Sequence, residues 1–243
     1  MNRSFYRRAM TQTFDAVVVA AGSGTRLGHS IPKALVPLCG NPILFYSLRT
    51  FCTHPEFSNI ILVVSASMLE QTDLFLDRYP DFKSKVKVVE GGDERWKSVR
   101  NGVVVSDADW VAIHDAARPF VTHRVIDSVL EKRSEYGCVI TATPEVDTIR
   151  TFSGNSTGET IDRSKLLRVG TPQLFRRDLL VSSFKKAALM SPAPTDEAAL
   201  MELEGVRVGF SWGDPLNFKI TTSADLFIAE ALLERNPKML LGG

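Results

Sequence analysis

Cysteine is scarce in this chain of 243 residues: only Cys39, Cys52 and Cys138 occur, widely spaced and without a Cys-x-x-Cys pair. That excludes a disulfide framework and a zinc-ligand spacing, and it fits a reducing compartment in which cysteine serves as a small apolar residue. Excess charge of either sign is missing too. Lys and Arg total 29 against 28 Asp and Glu, a net charge of +1. There is thus no basic field for nucleic acid and no acidic tail, and any anion must be held by a local cluster. No apolar run approaches transmembrane length. The first thirteen residues carry Arg3, Arg7 and Arg8 but no acidic residue, and they lack the apolar stretch of a secretory signal. They read as a short basic tail over 1–13, and the protein is expected to be cytoplasmic. Two familiar phosphate loops are also absent. No Gly-Lys-Ser or Gly-Lys-Thr tripeptide occurs, and the dinucleotide fingerprint fails because Leu27 stands where its third glycine belongs.

What is present is Ala20-Ala21-Gly22-Ser23-Gly24-Thr25-Arg26-Leu27-Gly28, followed five residues later by Lys33. It leaves the apolar run Phe14 to Val19, which reads as a buried first strand. A small-residue loop at a strand end lets backbone N–H groups approach a phosphate chain, because glycine has no Cβ in the way. Arg26 and Lys33 add two cations at the same place, an arrangement suited to polyphosphate chemistry. A plain strand-to-helix turn with stray basic residues is the alternative.

Further apolar, β-branched runs follow at Ile60 to Val64, Val86 to Val89, Trp110 to Ile113 and Val139 to Ala142. Between them, Ile43 to Phe51, Met68 to Leu76, Trp96 to Val104 and Val125 to Leu130 carry apolar residues at helical spacing. This alternation predicts an α/β fold with a doubly wound, mostly parallel sheet, whose ligands bind at the carboxyl ends of the strands. One domain over 14–236 is expected, with a C-terminal tail over 237–243. The segment 145–171 breaks the rhythm: two strand-like stretches, Thr148 to Phe152 and Glu159 to Arg163, flank a polar turn. A projecting β-hairpin arm has little core of its own, so it predicts either packing against a second copy, a homodimer, or a mobile surface hairpin. Later, Thr195 reads as an N-cap for a helix over 196–203, Val206 to Phe210 as a strand, and Thr222 with Asp225 as a capping box for a helix ending near Arg235.

Three loops after the strands carry polar chemistry. Glu90-Gly91-Gly92-Asp93-Glu94-Arg95 leads into a helix bearing Ser98. The Gly-Gly corner can read the edge of a base, with Asp93 and Ser98 beside its ribose, or it is simply a turn with acidic residues at a helix start. His114-Asp115-Ala116-Ala117-Arg118-Pro119 places a carboxylate at a strand end. Asp115 there can bind Mg²⁺ or accept hydrogen bonds from a polyol, or it forms an Asp–Arg brace with Arg118. His114 reads as a satisfied core histidine rather than a base. Lys219, in Asn217-Phe218-Lys219-Ile220-Thr221, is a third cation if its segment returns beside the first loop, and Arg163 on the hairpin is a fourth.

In order along the chain, these motifs, with Asp162-Arg163, Thr171-Pro172-Gln173 and Thr195-Asp196-Glu197-Ala198, resemble the 2-C-methyl-D-erythritol 4-phosphate cytidylyltransferase family over about residues 14 to 236. The resemblance implies a Rossmann-like nucleotidyltransferase sandwich. It implies transfer of a cytidylyl group from CTP to methylerythritol phosphate with release of pyrophosphate, with Mg²⁺ as cofactor, in a homodimer. It casts Arg26, Lys33 and Lys219 as catalytic cations on the triphosphate. Ala20, Ala21, Gly22, Gly24, Gly92, Asp93 and Ser98 would surround the cytidine. Asp115, Thr171 and Lys219 would face the methylerythritol part. Thr148 and Arg163, from the partner subunit, would help bind its phosphate, with Thr195 near the same end. Ala34, Lys97 and Gly170 depart from residues common in the family. Nothing of domain size is expected after the last helix. Two other readings stay open: cytidylyl transfer to another polyol phosphate such as ribitol 5-phosphate, and a nucleotide-binding module without turnover.

Overall fold

In the computed structural model, which describes residues 12–22, 31–190 and 196–236, the apolar runs become strands. In chain order the elements are β1 (Phe14–Val19), β2 (Pro37–Leu38), β3 (Asn41–Pro42), α1 (Ile43–Thr53), β4 (Phe57–Val64), α2 (Leu69–Leu76), α3 (Pro80–Lys83), β5 (Val86–Glu90), α4 (Arg95–Val105), β6 (Trp110–Asp115), α5 (His123–Glu131) and β7 (Cys138–Pro144). There follow β8 (Ile149–Ser153), β9 (Ser156–Ile161), β10 (Leu167–Arg176), α6 (Arg177–Ala187), α7 (Glu197–Leu203), β11 (Val208–Trp212) and α8 (Ser223–Arg235). Seven strands form one sheet in the order β11–β7–β10–β6–β1–β4–β5. β1 is parallel to β4 and β6, β4 to β5, and β11 to β7, whereas β10 is antiparallel to both β6 and β7.

Why the strands read as unbroken apolar runs is plain from their burial. Ala16 and Val18 of β1 point to one face and Val17 to the other, and Ile60, Leu62 and Val64 of β4 oppose Ile61 and Val63 in the same way. The first face packs on Leu44, Leu48 and Phe51 of α1, Phe75 of α2 and Ile126 of α5. The second packs on Val99 and Val103 of α4, Leu180 and Phe184 of α6, and Met201 of α7. Helices therefore cover both faces, as the doubly wound expectation required. α4 lies very close to the sheet: a Cβ on Gly102 would stand 2.6 Å from Val17 Cγ1 and 2.8 Å from Val63 Cγ2. That contact sets the helix so that Arg95, its first residue, sits at the carboxyl edge of the strands.

Four expectations change. The central strand β10 was read as part of the irregular segment. Gly170 and Pro172 lie inside it, residues that weaken a strand or cannot donate to its ladder, and the register with β7 shifts between Gly170 and Gln173. The arm over 145–171 is accordingly shorter. β8 and β9 pair only with each other, and the chain rejoins the main sheet when Leu167 pairs with Pro144. The last strand runs over Val208–Trp212, two residues later than expected. The cap of α7 is Asp196, whose side chain accepts from the Ala199 N–H at 3.1 Å, and the helix begins at Glu197. The Thr222–Asp225 capping box is present as read, and α8 ends at Arg235. None of the described helices is long and apolar enough to cross a membrane.

β6 contains a fully buried imidazole. His114 Nε2 lies 3.1 Å from the carbonyl of Arg118 and its Nδ1 3.0 Å from the Thr171 hydroxyl, so the neutral ring has both nitrogens partnered. Burial pushes its pKa down from 6.5 to about 4. His54, also buried, is lowered by burial and then by neighbouring His123. A depressed histidine contributes stability that is whole above its unfolded pKa and is lost as pH falls towards its folded one. For His114 alone that is on the order of 3 kcal/mol between about pH 6.5 and 4. Denaturant unfolding measured across that range is expected to show a clearly shallower loss of stability in His114→Gln than in the wild type. Equal slopes would remove His114 from the account.

Candidate active site

At the carboxyl edge of the sheet a cavity of about 480 Å³ opens between the ends of β1 and β6 and the start of α4. Of the residues singled out in the sequence, Ala20, Ala21, Gly22, Lys33, Gly92, Asp93, Ser98, Asp115 and Lys219 all line it. Gly24, Arg26 and Thr195 lie outside the described residues. Lys33 reaches the site from far away in sequence to Lys219 and donates from Nζ to the carbonyl of Ile220 at 3.0 Å. Lys219 arrives on an extended segment that is not a strand, fixed where the Ile220 N–H meets the carbonyl of Ala117 at 2.8 Å.

The Gly-Gly corner forms one wall. A Cβ on Gly91 would stand 2.7 Å from Ala21 Cβ and 2.8 Å from Ser98 Oγ, so only glycine lets the corner approach the first loop. Ser98 is buried, and its hydroxyl accepts from the Gly92 N–H at 3.0 Å while lying 3.2 Å from the carbonyls of Gly92 and Glu94. It braces the corner from beneath. Asp93 is exposed on the rim and paired with Lys97 Nζ at 2.9 Å, and the same ammonium meets Glu94 at 2.8 Å. Lys97 thus ties the two acidic residues of the turn together.

Asp115 is the electrostatic centre. Its Oδ2 takes Lys219 Nζ at 2.8 Å, its Oδ1 lies 3.4 Å from Arg95, and Arg118 Nε stands 3.7 Å away. Burial pushes this carboxyl up, but the charges of Arg95, Lys219 and Arg118 outweigh it and hold the group well below the usual carboxylate range. Arg95 is gripped in turn by Glu197, whose two oxygens stand 2.8 and 2.7 Å from Arg95 Nη1. Glu197 is 1% exposed, and burial raises its pKa against the opposing pull of Arg95.

Thr171 lines neither this cavity nor its neighbour. It is buried beneath Asp115, accepts from the Asp115 backbone N–H at 3.1 Å and meets His114 Nδ1 at 3.0 Å. It orients the strand end. A second cavity, of about 430 Å³, adjoins the first and shares Lys219; Arg118, Thr141, Arg168 and Asn217 are on its walls. Buried Asn217 Oδ1 has no hydrogen-bond partner among the described residues, whereas Arg118 Nε faces the Asp115 carboxylate at 3.7 Å. Thr148 and Arg163 are exposed at the base of the hairpin and line neither cavity of their own chain.

Sequence reading did not single out Arg95 or Glu197. Each is the first residue of a helix, and they lie 102 positions apart, so no local pattern links them. The usable signal was a charged residue opening a helix at the carboxyl edge of the sheet.

The site offers fixed cations and no convincing general base, since His114 is buried, neutral and satisfied. Such an arrangement can align anions and neutralise charge that develops between them.

Comparison with known proteins agrees with this chemistry. The family described as IspD, 2-C-methyl-D-erythritol 4-phosphate cytidylyltransferase, matches residues 14–235. A protein of that name from Bacillus velezensis is 39% identical over 223 residues, covering 91% of this chain and 96% of its own. One from Alkaliphilus metalliredigens is 37% identical, covering 93% of this chain and 95% of its own. Among solved structures, the 4-diphosphocytidyl-2C-methyl-D-erythritol synthase of Anaerococcus prevotii superposes with a TM-score of 0.81 at 26% identity, covering 93% of this chain and 97% of its own. The chain belongs to the 2-C-methyl-D-erythritol 4-phosphate cytidylyltransferase family.

Proposed function

We infer that this protein transfers a cytidylyl group from CTP to 2-C-methyl-D-erythritol 4-phosphate, forming 4-diphosphocytidyl-2-C-methyl-D-erythritol and pyrophosphate. The observation that carries the reading is the convergence of Lys33 and Lys219, far apart in sequence, on one cavity beside the Gly91–Gly92 corner. CTP takes the first cavity, its base against the corner and its triphosphate towards Lys33, Lys219 and Arg26. The polyol phosphate takes the second, whose walls carry the cations Arg118, Arg168 and Lys219. Its phosphate oxygen, already ionised near neutral pH, attacks the α-phosphorus of CTP, and the bond to the leaving pyrophosphate breaks. No proton has to be removed first. Catalysis comes from alignment and from neutralising charge on the transferring and leaving groups.

A divalent cation enters this reading with the triphosphate. Among the described residues no group of three or more His, Cys, Asp or Glu side chains could hold a metal ion. Both oxygens of Asp115 already face Lys219 and Arg95, so Asp115 does not fit the role of magnesium ligand. No step is assigned to the ion. The three cysteines are free, in keeping with a cytoplasmic enzyme.

The hairpin supports a homodimer. A two-stranded sheet standing apart from the main one is marginal alone, and it exposes Phe152 at 81% and Val146 nearby at 61%. In that dimer Thr148 and Arg163 serve the neighbouring subunit's acceptor phosphate.

Pyrophosphate release measured with four nucleotides against methylerythritol phosphate and ribitol 5-phosphate tests the activity. CTP with methylerythritol phosphate is expected to dominate; comparable rates with ribitol phosphate would favour the other polyol, and CTP binding without release would favour a non-catalytic module. Lys33→Ala and Lys219→Ala are each expected to lower kcat roughly 10²-fold, as loss of one preorganised donor does, and near wild-type turnover in both would overturn the assignment. Arg163→Ala and Lys33→Ala chains, each strongly impaired alone, are expected to recover roughly a quarter of wild-type activity when co-assembled, since half the dimers are mixed and each has one intact site. No recovery in verified mixed dimers would place Arg163 in its own subunit's site or remove it from catalysis.

A further inference from the structure

We propose that Glu197 is a positioning residue for the transfer site, acting through Arg95 to fix the carboxylate of Asp115 and thereby the ammonium of Lys219. The proposal rests on the cytidylyl-transfer reading of this cavity and assigns it a support that reaches to the far side of the cavity wall.

Arg95 stands between two carboxylates from different elements. Its Nη1 faces both oxygens of Glu197, at 2.8 and 2.7 Å, while its Nη2 lies 3.4 Å from Asp115 Oδ1. The other oxygen of Asp115 is left to Lys219 at 2.8 Å. Glu197, Arg95, Asp115 and Lys219 therefore form a continuous chain of alternating charge, beginning at a residue 1% exposed and ending at a cation on the cavity. A planar fork is what this geometry demands. A lysine has a single charged nitrogen and could not set one on Glu197 and a second towards Asp115, as Nη1 and Nη2 of Arg95 do.

Glu197 and Arg95 are each fixed by the fold. Asp196 caps α7 through the Ala199 N–H, and its second oxygen accepts from Gln173 Nε2 at 3.2 Å, which ties the start of α7 to β10. Arg95 opens α4, pressed against the sheet at Gly102. A buried ion pair is often no more stabilising than well-packed apolar residues of the same size. Stability alone thus gives no reason for this pair, whereas the orientation of Asp115 does.

The test is steady-state kinetics on the full chain with CTP and the polyol phosphate that the wild type uses, beside thermal melts. Glu197→Gln keeps the shape but not the charge and second acceptor, and it is expected to lower kcat about 10-fold or more with KM for CTP within about threefold, because a small misplacement of a charged group costs rate rather than ground-state binding. Arg95→Lys, which retains the charge without the fork, is expected to show the same split. If Glu197 works through Arg95, the double variant is no slower than the slower single one. Wild-type kcat in either folded variant, or losses that add in the double, overturns the proposal. A lower melting temperature with unchanged kcat does so as well, by making the pair purely structural. Should Glu197→Gln not fold, Arg95→Lys decides alone. Absence of transfer in the wild type would instead refute the functional reading on which the proposal stands.

Discussion

A carboxylate buried at the end of a central strand can stay ionised only if cations surround it, and this fold is arranged to bring them there. Asp115 lies where β6 ends, among Arg95 from α4, Arg118 from the following turn and Lys219 from the segment before α8. Among the described residues three cations face it, and the one further carboxylate paired with them is Glu197. Three positive charges against two negative leave the cluster positive by one, before Lys33 is counted. Asp115 therefore organises the positive charge without cancelling it. Cations already held in place are the condition under which electrostatic stabilisation of an anion is effective, because little reorganisation remains to be done.

The antiparallel strand makes this placement workable. If β10 ran parallel to its neighbours, its amino-terminal half would lie at the opposite edge of the sheet. Because it is reversed, Thr171 comes to rest beneath Asp115 and receives its backbone N–H, and Asn217 Nδ2 can donate to the carbonyl of Thr171 at 2.8 Å. The same reversal sends the outer pairs of β7 and β10 past the cavities, with the hairpin beyond them. One change of strand direction thus supplies both the floor of the catalytic edge and the arm. Thr171 accordingly acts on the backbone of the site from below.

How much of this could be read in the sequence depended on whether the governing pattern was local. β1, β4, β6 and β7 were legible because burial on both faces imposes runs of apolar residues that little else explains, and edge strand β5 because its half-buried valines cluster. The capping box of α8 was legible because its partners, Thr222 and Asp225, are three residues apart. β10 was not, since Gly170 and Pro172 interrupt the pattern at the point where the ladder itself is irregular. In the site, the cavity-lining loops announced themselves through their composition. The roles of Ser98 and Thr171 did not. A hydroxyl in such a loop looks the same in sequence whether or not it also holds the backbone, as Ser98 and Thr171 do.

The contrast between His114 and Lys219 suits the proposed transfer, which requires no proton relay. His114 is adjacent to Asp115 in sequence, yet its ring is sealed under the sheet edge, uncharged at neutral pH and partnered on both nitrogens. It cannot exchange protons with anything in the cavity. Lys219, by contrast, lines both cavities while one of its donors is anchored on Asp115. An ammonium has three donors, so that anchor leaves two for bound oxygens. In the proposed transfer the nucleophile and the leaving group both carry phosphate charge, and a single cation shared by the two cavities would draw them together. Lys219 stands at the boundary between the cavities, at the end of the alternating chain that begins at Glu197.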